Sequence, residues 1–514
     1  MPPKLIRALF SLLMRIALGA GKMIAILAVP GVACLPGALY GADLPYDEAK
    51  AASVDAVIRY HALSSSSRNS MIKPAPAVEW GAAPPPFKNY PGASHVALER
   101  RAAGARGLSD ALRSPAPHKQ RLRRDELGEM LYLSAGVTGR REGNALRAAP
   151  SAGGLYPIEL YVVARAVDGL PAGLYHYDPE HHRLDTLGAA PTHFGAPDSE
   201  GADAVVLLSA VFRRTGNKYR DRAYRLAVAD AGHLLENLRL AAHQAGMQAR
   251  PLAQFDDALA ARALGIDGVE EGVLAVMHLR QAADAQPADV RSPAHFIPAP
   301  VPESTAIGIT GMVQGATSLR LVPEEKQAGA IALPPPLPAT QDLREIIARR
   351  RSTRRFLAEP VPLAMLSSML ADMALPPLLS DAINIHLIVN RVAGLPAGVY
   401  RYVPGHALAP VRQGDFAAAA QSAALSQPVI GNAAVVLVLS ADRERMLAQG
   451  PRGYRHAYLE AGMLGERWLL GAVARGLAAC PVGAFYDDEA AALVGVDAQR
   501  EWVLHFAALG KAEK

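Results

Sequence analysis

Cysteine is nearly absent: Cys34 and Cys480 are the only two in 514 residues. Neither sits in a Cys-x-x-Cys pair and there is no His-Glu-x-x-His, so zinc, iron–sulfur and disulfide frameworks lack a ligand set and no metal residues are assigned. No G-x-x-x-x-G-K-[ST] and no G-x-G-x-x-G following a strand occurs, which excludes a P-loop and a Rossmann fingerprint. Charge is sparse at 20% of residues, against 50% hydrophobic, the balance of a globular chain. The net charge of +5 comes from arginines spread along the sequence. No Lys/Arg run alternates with aromatics, so nucleic-acid binding has no support.

The exception to this even texture is the N-terminus. Lys4, Arg7, Arg15 and Lys22 precede an uncharged run from Met23 to Ala42, twenty residues long and sufficient to cross a bilayer. Pro30 and Pro36 interrupt it, and three glycines dilute it. Residues 1–45 therefore read as an apolar extension: a signal, an anchor, or residues upstream of a true start at Met23 or later. The expected location is cytoplasmic, with a membrane-anchored or exported protein as the alternative if the extension is retained.

What the chain does contain is a repeat. Gly-Leu-Pro-Ala-Gly-Leu-Tyr-His-Tyr-Asp-Pro begins at Gly169, and Gly-Leu-Pro-Ala-Gly-Val-Tyr-Arg-Tyr-Val-Pro begins at Gly394. Farther on, Tyr224 matches Tyr454, Gly232 matches Gly462, and Gly246 matches Gly476. The register continues through Pro251 and Pro481, Phe255 and Phe485, Asp257 and Asp487, Gly265 and Gly495, Asp267 and Asp497, and Glu271 and Glu501, always 230 apart. A chain of matches at constant spacing marks an internal duplication. The segments are a loop-rich leading region at 46–119, a first unit at 120–282, a Pro/Gly-rich linker at 283–339 and a second unit at 340–514.

Each unit mixes helix and strand. Leu226 to Gly246 and Tyr458 to Gly476 carry Leu and Ala at helical spacing and stop at glycine. Ala204 to Leu208, Ala433 to Leu439, Tyr161 to Ala164 and Ile385 to Asn390 are short apolar, β-branched runs expected as buried strands. The fold class is α+β, with two such units about a pseudo-twofold axis, as in a homodimer fused into one chain.

Four motifs carry chemistry. Arg350-Arg351-Ser352-Thr353-Arg354-Arg355-Phe356 follows a helical stretch, Asp342 to Ala348, and precedes another, Leu363 to Met373. Guanidinium groups pair with phosphate or a carbonyl-rich ring edge, although an arginine run at a helix end is more often a solvated face. Arg147-Ala-Ala-Pro150-Ser151-Ala152-Gly153-Gly154-Leu-Tyr-Pro157 offers small residues that let backbone approach a flat ligand, or simply a tight turn. Pro481-Val482-Gly483-Ala484-Phe485 offers backbone amides, where the first unit has Pro251-Leu-Ala-Gln-Phe255 without the glycine. Lys218-Tyr219 is the last, a candidate proton-transfer pair or a surface lysine beside a packing tyrosine; the second unit has Ala448-Gln449 instead.

The Arg350–Phe356 run resembles the opening motif of the nitroreductase family, whose Arg and Ser side chains hold FMN. Arg147–Pro157, Gly173-Leu-Tyr-His-Tyr-Asp-Pro179, Tyr224 through Asn237, Tyr60-His61 and Pro85–Gly92 look like the SagB-type dehydrogenase branch, extending the resemblance over roughly residues 52–511. That branch includes flavin oxidases that turn thiazolines and oxazolines in peptides into thiazoles and oxazoles. The resemblance implies two fused nitroreductase-like units forming an intrachain pseudo-dimer, with FMN held between them. Arg350, Arg351, Ser352 and Arg354 would come from the second unit, with Pro481, Val482, Gly483 and Ala484. Pro150, Ser151, Ala152 and Gly153 would come from the first, with Lys218 and Tyr219 as the catalytic pair. The other pseudo-site, Gly107 to Arg113 against Leu378 to Ala382, keeps neither motif, so one FMN per chain is expected. Lys511 or Lys514 would serve the phosphate, or Arg350 and Arg354 would carry it alone.

Three functions stay open at this point. One is azoline oxidation in a peptide or small molecule by hydride transfer to FMN. Another is an NAD(P)H-dependent nitro or quinone reductase, and the third a flavin-binding scaffold without catalysis. NAD(P)H or oxygen would be the redox partner, and a further homodimer is compatible with the sequence.

Overall fold

The computed structural model describes residues 46–68, 81–100, 106–116, 121–196, 201–281, 296–298, 319–321, 329–448 and 450–513. The chain divides into Met1–Ala51 and Ala52–Lys514. Of the first part only the start of the helix Tyr46–Ser64 is described. The apolar extension, most of the linker, Gln449 and Lys514 lie outside the described residues. Among the described residues no helix is long and apolar enough to cross a membrane.

The remainder, Ala52–Lys514, is built on two seven-stranded antiparallel sheets with the same order. In the first, the strands lie His95–Ala97, Arg183–Gly188, Gly173–Asp178, Ile158–Ala164, Ala204–Val211, Glu271–Gln281, Met247–Pro251. In the second they lie Ile331–Ala332, Ala407–Gln413, Gly398–Val403, Ile383–Val389, Val435–Asp442, Glu501–Gly510, Ala478–Val482. All four expected strands are present; two reach beyond the apolar run that announced them, while Val435–Asp442 starts two residues later than expected and Ile383–Val389 is shifted toward its N-terminus, ending one residue short. Both outer strands come from segments expected as loop or linker: His95–Ala97 from the leading region and Ile331–Ala332 from the end of the linker. A short strand on a sheet edge needs no apolar pattern, because one side of it faces solvent.

A helix lies across each sheet, Ala223–Gln244 in the first half and Arg452–Ala474 in the second. Both are buried on nearly every side, which explains why Leu, Ala and Gly circle them instead of forming one stripe. The two pack against each other at the repeat-paired glycines. A Cβ on Gly232 would lie on the Leu459 carbonyl oxygen and 2.9 Å from the Gly462 Cα; one on Gly462 would lie on the Ala229 carbonyl oxygen. Glycine at both places lets the backbones touch and puts the pseudo-twofold axis between them.

Paired ion clamps lock the halves. Arg222 and Arg225 reach Asp487 at 2.6 and 2.8 Å, and Arg452 and Arg455 reach Asp257 at 2.5 Å each. Arg225 donates to the Tyr454 hydroxyl at 3.1 Å, while Arg455 donates to the Tyr224 hydroxyl at 3.0 Å. Every member of one clamp sits 230 residues from its counterpart in the other.

Candidate functional site

The arginine motif leaves the helix Leu343–Arg349, whose start is capped by Asp342 accepting from the Arg344 amide at 3.0 Å. Arg350 is buried and crosses into the other half. Its Nε donates to the Ala148 carbonyl at 2.8 Å and its Nη2 to the Arg147 carbonyl at 3.2 Å. Its buried Nη1 has no partner among the described residues. Arg351 is spent on backbone, with the carbonyls of Ala348, Arg350 and Thr138 taking its donors. It braces the hairpin Val137–Arg147, and the expectation that it touches a cofactor gains nothing from this placement. Ser352 bridges to Ala479, and the Thr353 amide donates to the Ala479 carbonyl at 3.1 Å, so the motif runs beside the strand Ala478–Val482. Arg354 is exposed, with one long bond of 3.4 Å to the Ser352 carbonyl.

That strand leads into the backbone segment. Pro481 and Val482 pair with Ala507 and Phe506, which fixes the direction of Gly483 and Ala484 beyond them. Arg222 from the first half donates to the Gly483 carbonyl at 3.2 Å, and Gln427 to the Ala484 carbonyl at 2.9 Å. A Cβ on Gly483 would meet the Leu226 side chain at 2.5 Å, so glycine is what allows the segment to lie against the helix.

From the first half, Pro150 enters a tight turn in which Gly153 and Gly154 have φ of 64° and 68°. A side chain is disfavoured there on backbone grounds alone. The space is also taken: a Cβ on Gly153 would lie 3.0 Å from the Tyr219 hydroxyl and 3.1 Å from the Lys218 Nζ. The two candidate proton-transfer groups therefore converge over this turn from the end of the helix Phe212–Tyr219. Burial pushes the Tyr219 phenol above its ordinary value, Asp230 adds to the rise and Arg354 opposes it. The leading region holds this assembly in place. Tyr60 donates to the Asp221 carbonyl at 2.6 Å, Asn217 to Gly81 at 2.6 Å, Arg214 to Pro85 at 2.7 Å and Arg147 to Pro86 at 2.8 Å.

Several residues here had no sequence motif. Asp230, on the first central helix, accepts from the Ser151 hydroxyl at 2.6 Å and from the Ala152 amide at 3.1 Å. Ser151 is thus engaged by a carboxylate in this structure. Burial pushes Asp230 up to about 7, with the Ser151 and Ala152 bonds pulling the other way. Glu466 stands 4.0 Å from Arg350 and 3.0 Å from His233. Burial raises Glu466 to about 8, against the pull of Arg350, and holds His233 down to about 3. The available signal was an acid inside a run of Leu and Ala, at Asp230 and again 230 residues later at Glu460.

A planar, anion-bearing cofactor fits this donor set. Arg350 presents a buried cationic edge with an unused donor, Arg354 an exposed guanidinium, and the Gly153 turn a surface free of side chain. Beside Arg354, Phe356, Gln427 and Asn432 lies a cleft of about 510 Å³. The cavity beneath Ser151 and Asp230, about 20 Å³, has room for a water-sized group only. Lys511, an expected phosphate ligand, is paired with Glu359 at 2.6 Å on the surface.

The opposite pseudo-site has the frame without the donors. Gly107 pairs with Asp342 beside the helix Leu108–Arg113, and Glu460 accepts from the Leu378 and Leu379 amides at 3.1 and 2.9 Å. His456, the counterpart of Leu226, bonds the Ala253 carbonyl at 2.7 Å.

Comparison with known proteins agrees with this architecture. The model of the nitroreductase family matches residues 119–279 and 347–511, one match per half. MJ1384 of Methanocaldococcus jannaschii, named as a nitroreductase, is 34% identical over 143 residues, covering 26% of this chain and 69% of that protein. The microcin B17-processing protein McbC of Escherichia coli is 28% identical over 137 residues, 24% of this chain and 50% of McbC. A solved structure from Anabaena variabilis, described as that of a nitroreductase, superimposes with a TM-score of 0.69 at 26% identity, covering 89% of this chain and 99% of that one.

Proposed function

Because the chain belongs to the nitroreductase family, with both halves matched, we propose that it is an FMN-dependent oxidoreductase of the SagB type, oxidising azoline-like rings in a peptide or small molecule. The observation that carries this reading is the convergence of Lys218 and Tyr219 over Gly153, with Arg354 of the arginine motif close enough to act on Tyr219. FMN, when bound, supplies the hydride acceptor. Arg350, Ser352 and Arg354 would hold it from the second half, and the Pro150–Gly153 turn from the first.

Turning an azoline into an azole removes a hydride from one ring atom and a proton from its neighbour. The chain's own contribution is to the proton. Tyr219, with its phenol pushed up, stays protonated at neutral pH and serves as a donor that orients the ring. Proton removal then falls to Lys218, whose free amine form accepts the proton as an ammonium. The unused donor of the motif is the buried Nη1 of Arg350, which is held in place and needs no rearrangement during the reaction. Similarity to a microcin-processing protein supports a peptide as the substrate.

A nitro or quinone reductase using NAD(P)H is the second reading, favoured by the similarity to MJ1384. The experiment that separates the two offers the FMN-loaded protein a thiazoline-containing peptide with oxygen and, separately, a nitroarene with NADPH. Loss of two hydrogens from the peptide supports azoline oxidation. Nitro reduction with an unchanged peptide assigns the protein to the second reading.

A further inference from the structure

Ser151 is expected at the cofactor, yet its hydroxyl is hydrogen-bonded to Asp230 on the central helix. A hydroxyl has one hydrogen to donate and two lone pairs to accept with. In this structure the hydrogen goes to Asp230 Oδ2 at 2.6 Å, and one lone pair takes the Tyr156 amide at 2.9 Å. Asp230 has no ion-pair partner among the described residues; its remaining bonds are to the Ala152 amide. An ionised carboxylate can only accept, so it must take the serine hydrogen. A protonated one has a hydrogen of its own. It can donate that hydrogen to the second lone pair of Ser151, which frees the serine hydroxyl to turn toward the pocket.

We infer that Asp230 is a positioning residue whose protonation decides whether Ser151 donates into the helix or into the cofactor pocket. The inference rests on the flavin reading above and deepens it. Burial without a cation places the carboxyl near 7, so both states are within reach at neutral pH. The counterpart, Glu460, holds two backbone amides and no hydroxyl, which makes it a loop clamp alone. At Asp230 the same clamp has acquired a side chain that can be released.

Other ionisable groups surround the site. Arg147 and Tyr156 line the small cavity shared with Asp230, and Tyr219 feels its charge from the helix Phe212–Tyr219. Lys218 lies over the same turn, and Arg354 acts on Tyr219 from the second half. One turn along the central helix, burial holds His233 neutral and pushes its partner Glu466, beside Arg350, up to about 8. Since Glu466 adds its own pH dependence, the test must isolate the serine.

Dissociation constants are measured by flavin fluorescence for the wild type, S151A, D230N and the double variant between about pH 6 and about pH 8.5, spanning the carboxyl's titration. Riboflavin, which lacks the phosphate, is titrated alongside FMN so that phosphate ionisation near pH 6 is separated. In the wild-type background, removing the serine should weaken binding about three- to tenfold at the acid end, the worth of one hydrogen bond, and have no effect at the alkaline end. With D230N the amide donates to Ser151 at every pH, so the serine effect should keep its full size throughout. A serine effect independent of pH in the wild type, or none at the acid end, overturns the inference and leaves the flavin reading intact. Failure of all four proteins to bind FMN or riboflavin removes both.

Discussion

Asp230 and Glu460 occupy the same place on the two central helices, and each holds the backbone of a loop supplied by its own half. Around them the two sites diverge. Ser151 stands over Asp230, while Leu378 and Leu379 stand over Glu460. Leu226 packs on Gly483; His456 is tied to the Ala253 carbonyl. Lys218-Tyr219 has Ala448-Gln449 as its counterpart, and the arginine motif has no counterpart at all. The clamps and the glycine crossing keep the same residue types on both sides. A shared interface has to pack from both halves, whereas a pocket needs each of its donors only once. On the proposed reading, duplication preserved the frame twice and the chemistry once.

The comparison can be broken in order of expected effect. Replacing Lys218 by alanine should lower azoline turnover by about 10²- to 10⁴-fold, the range for losing a proton-transfer group, with FMN content unchanged. Steady-state rates alongside the flavin absorbance check both halves of that statement. D487A should be the most costly of the clamp substitutions. It strands Arg222 and Arg225, whose side chains are 10% and 2% exposed, and removal of one partner from such a pair costs about 3–5 kcal/mol. Burial alone would raise the Asp487 carboxyl, but Arg225 and Arg222 more than offset that and hold it below the usual range. Its contribution is therefore present above about pH 4 and fades as the pH falls, so chemical denaturation should show wild type and D487A converging in acid.

G232A puts a methyl group onto the Leu459 carbonyl at the crossing. About 1–3 kcal/mol is expected, read as a lower thermal midpoint, and G462A should match it because the contact is reciprocal. D257A is the smallest. Its side chain is 41% exposed, so water screens Arg452 and Arg455 when it is removed, and under about 1 kcal/mol is expected. A D257A cost equal to that of D487A would mean that the two clamps are energetically the same and that burial does not distinguish them.

Much of the frame was legible from the repeat. Matching Gly232 to Gly462 and Asp257 to Asp487 located the axis and one residue of each clamp, and Leu363–Met373 is a helix over the span its pattern marked. The break in register was visible too, from 225 at Gly188 and Gln413 to 231 at Ala204 and Val435, settling to 230 by Tyr224 and Tyr454. It falls between Gly188 and Ala204 in the first half and between Gln413 and Val435 in the second, where the second half inserts two short helices, Ala417–Ala423 and Pro428–Gly431. The unread parts depend on distant contacts. Nothing local to Asp230 announces Ser151, 79 residues away. Nothing local to Arg351 shows that the carbonyls of Ala348, Arg350 and Thr138 consume it. The helix Tyr46–Ser64 lacks a strong apolar stripe, and its grip on the Asp221 loop through Tyr60 is a tertiary fact.

The central claim is that two halves make one flavin site, and the most direct measurement is the FMN released per folded chain on denaturation, for the wild type and for R350A. The account predicts one FMN per chain in the wild type and little or none in R350A. Two FMN per chain, or one that survives R350A unchanged, would contradict it.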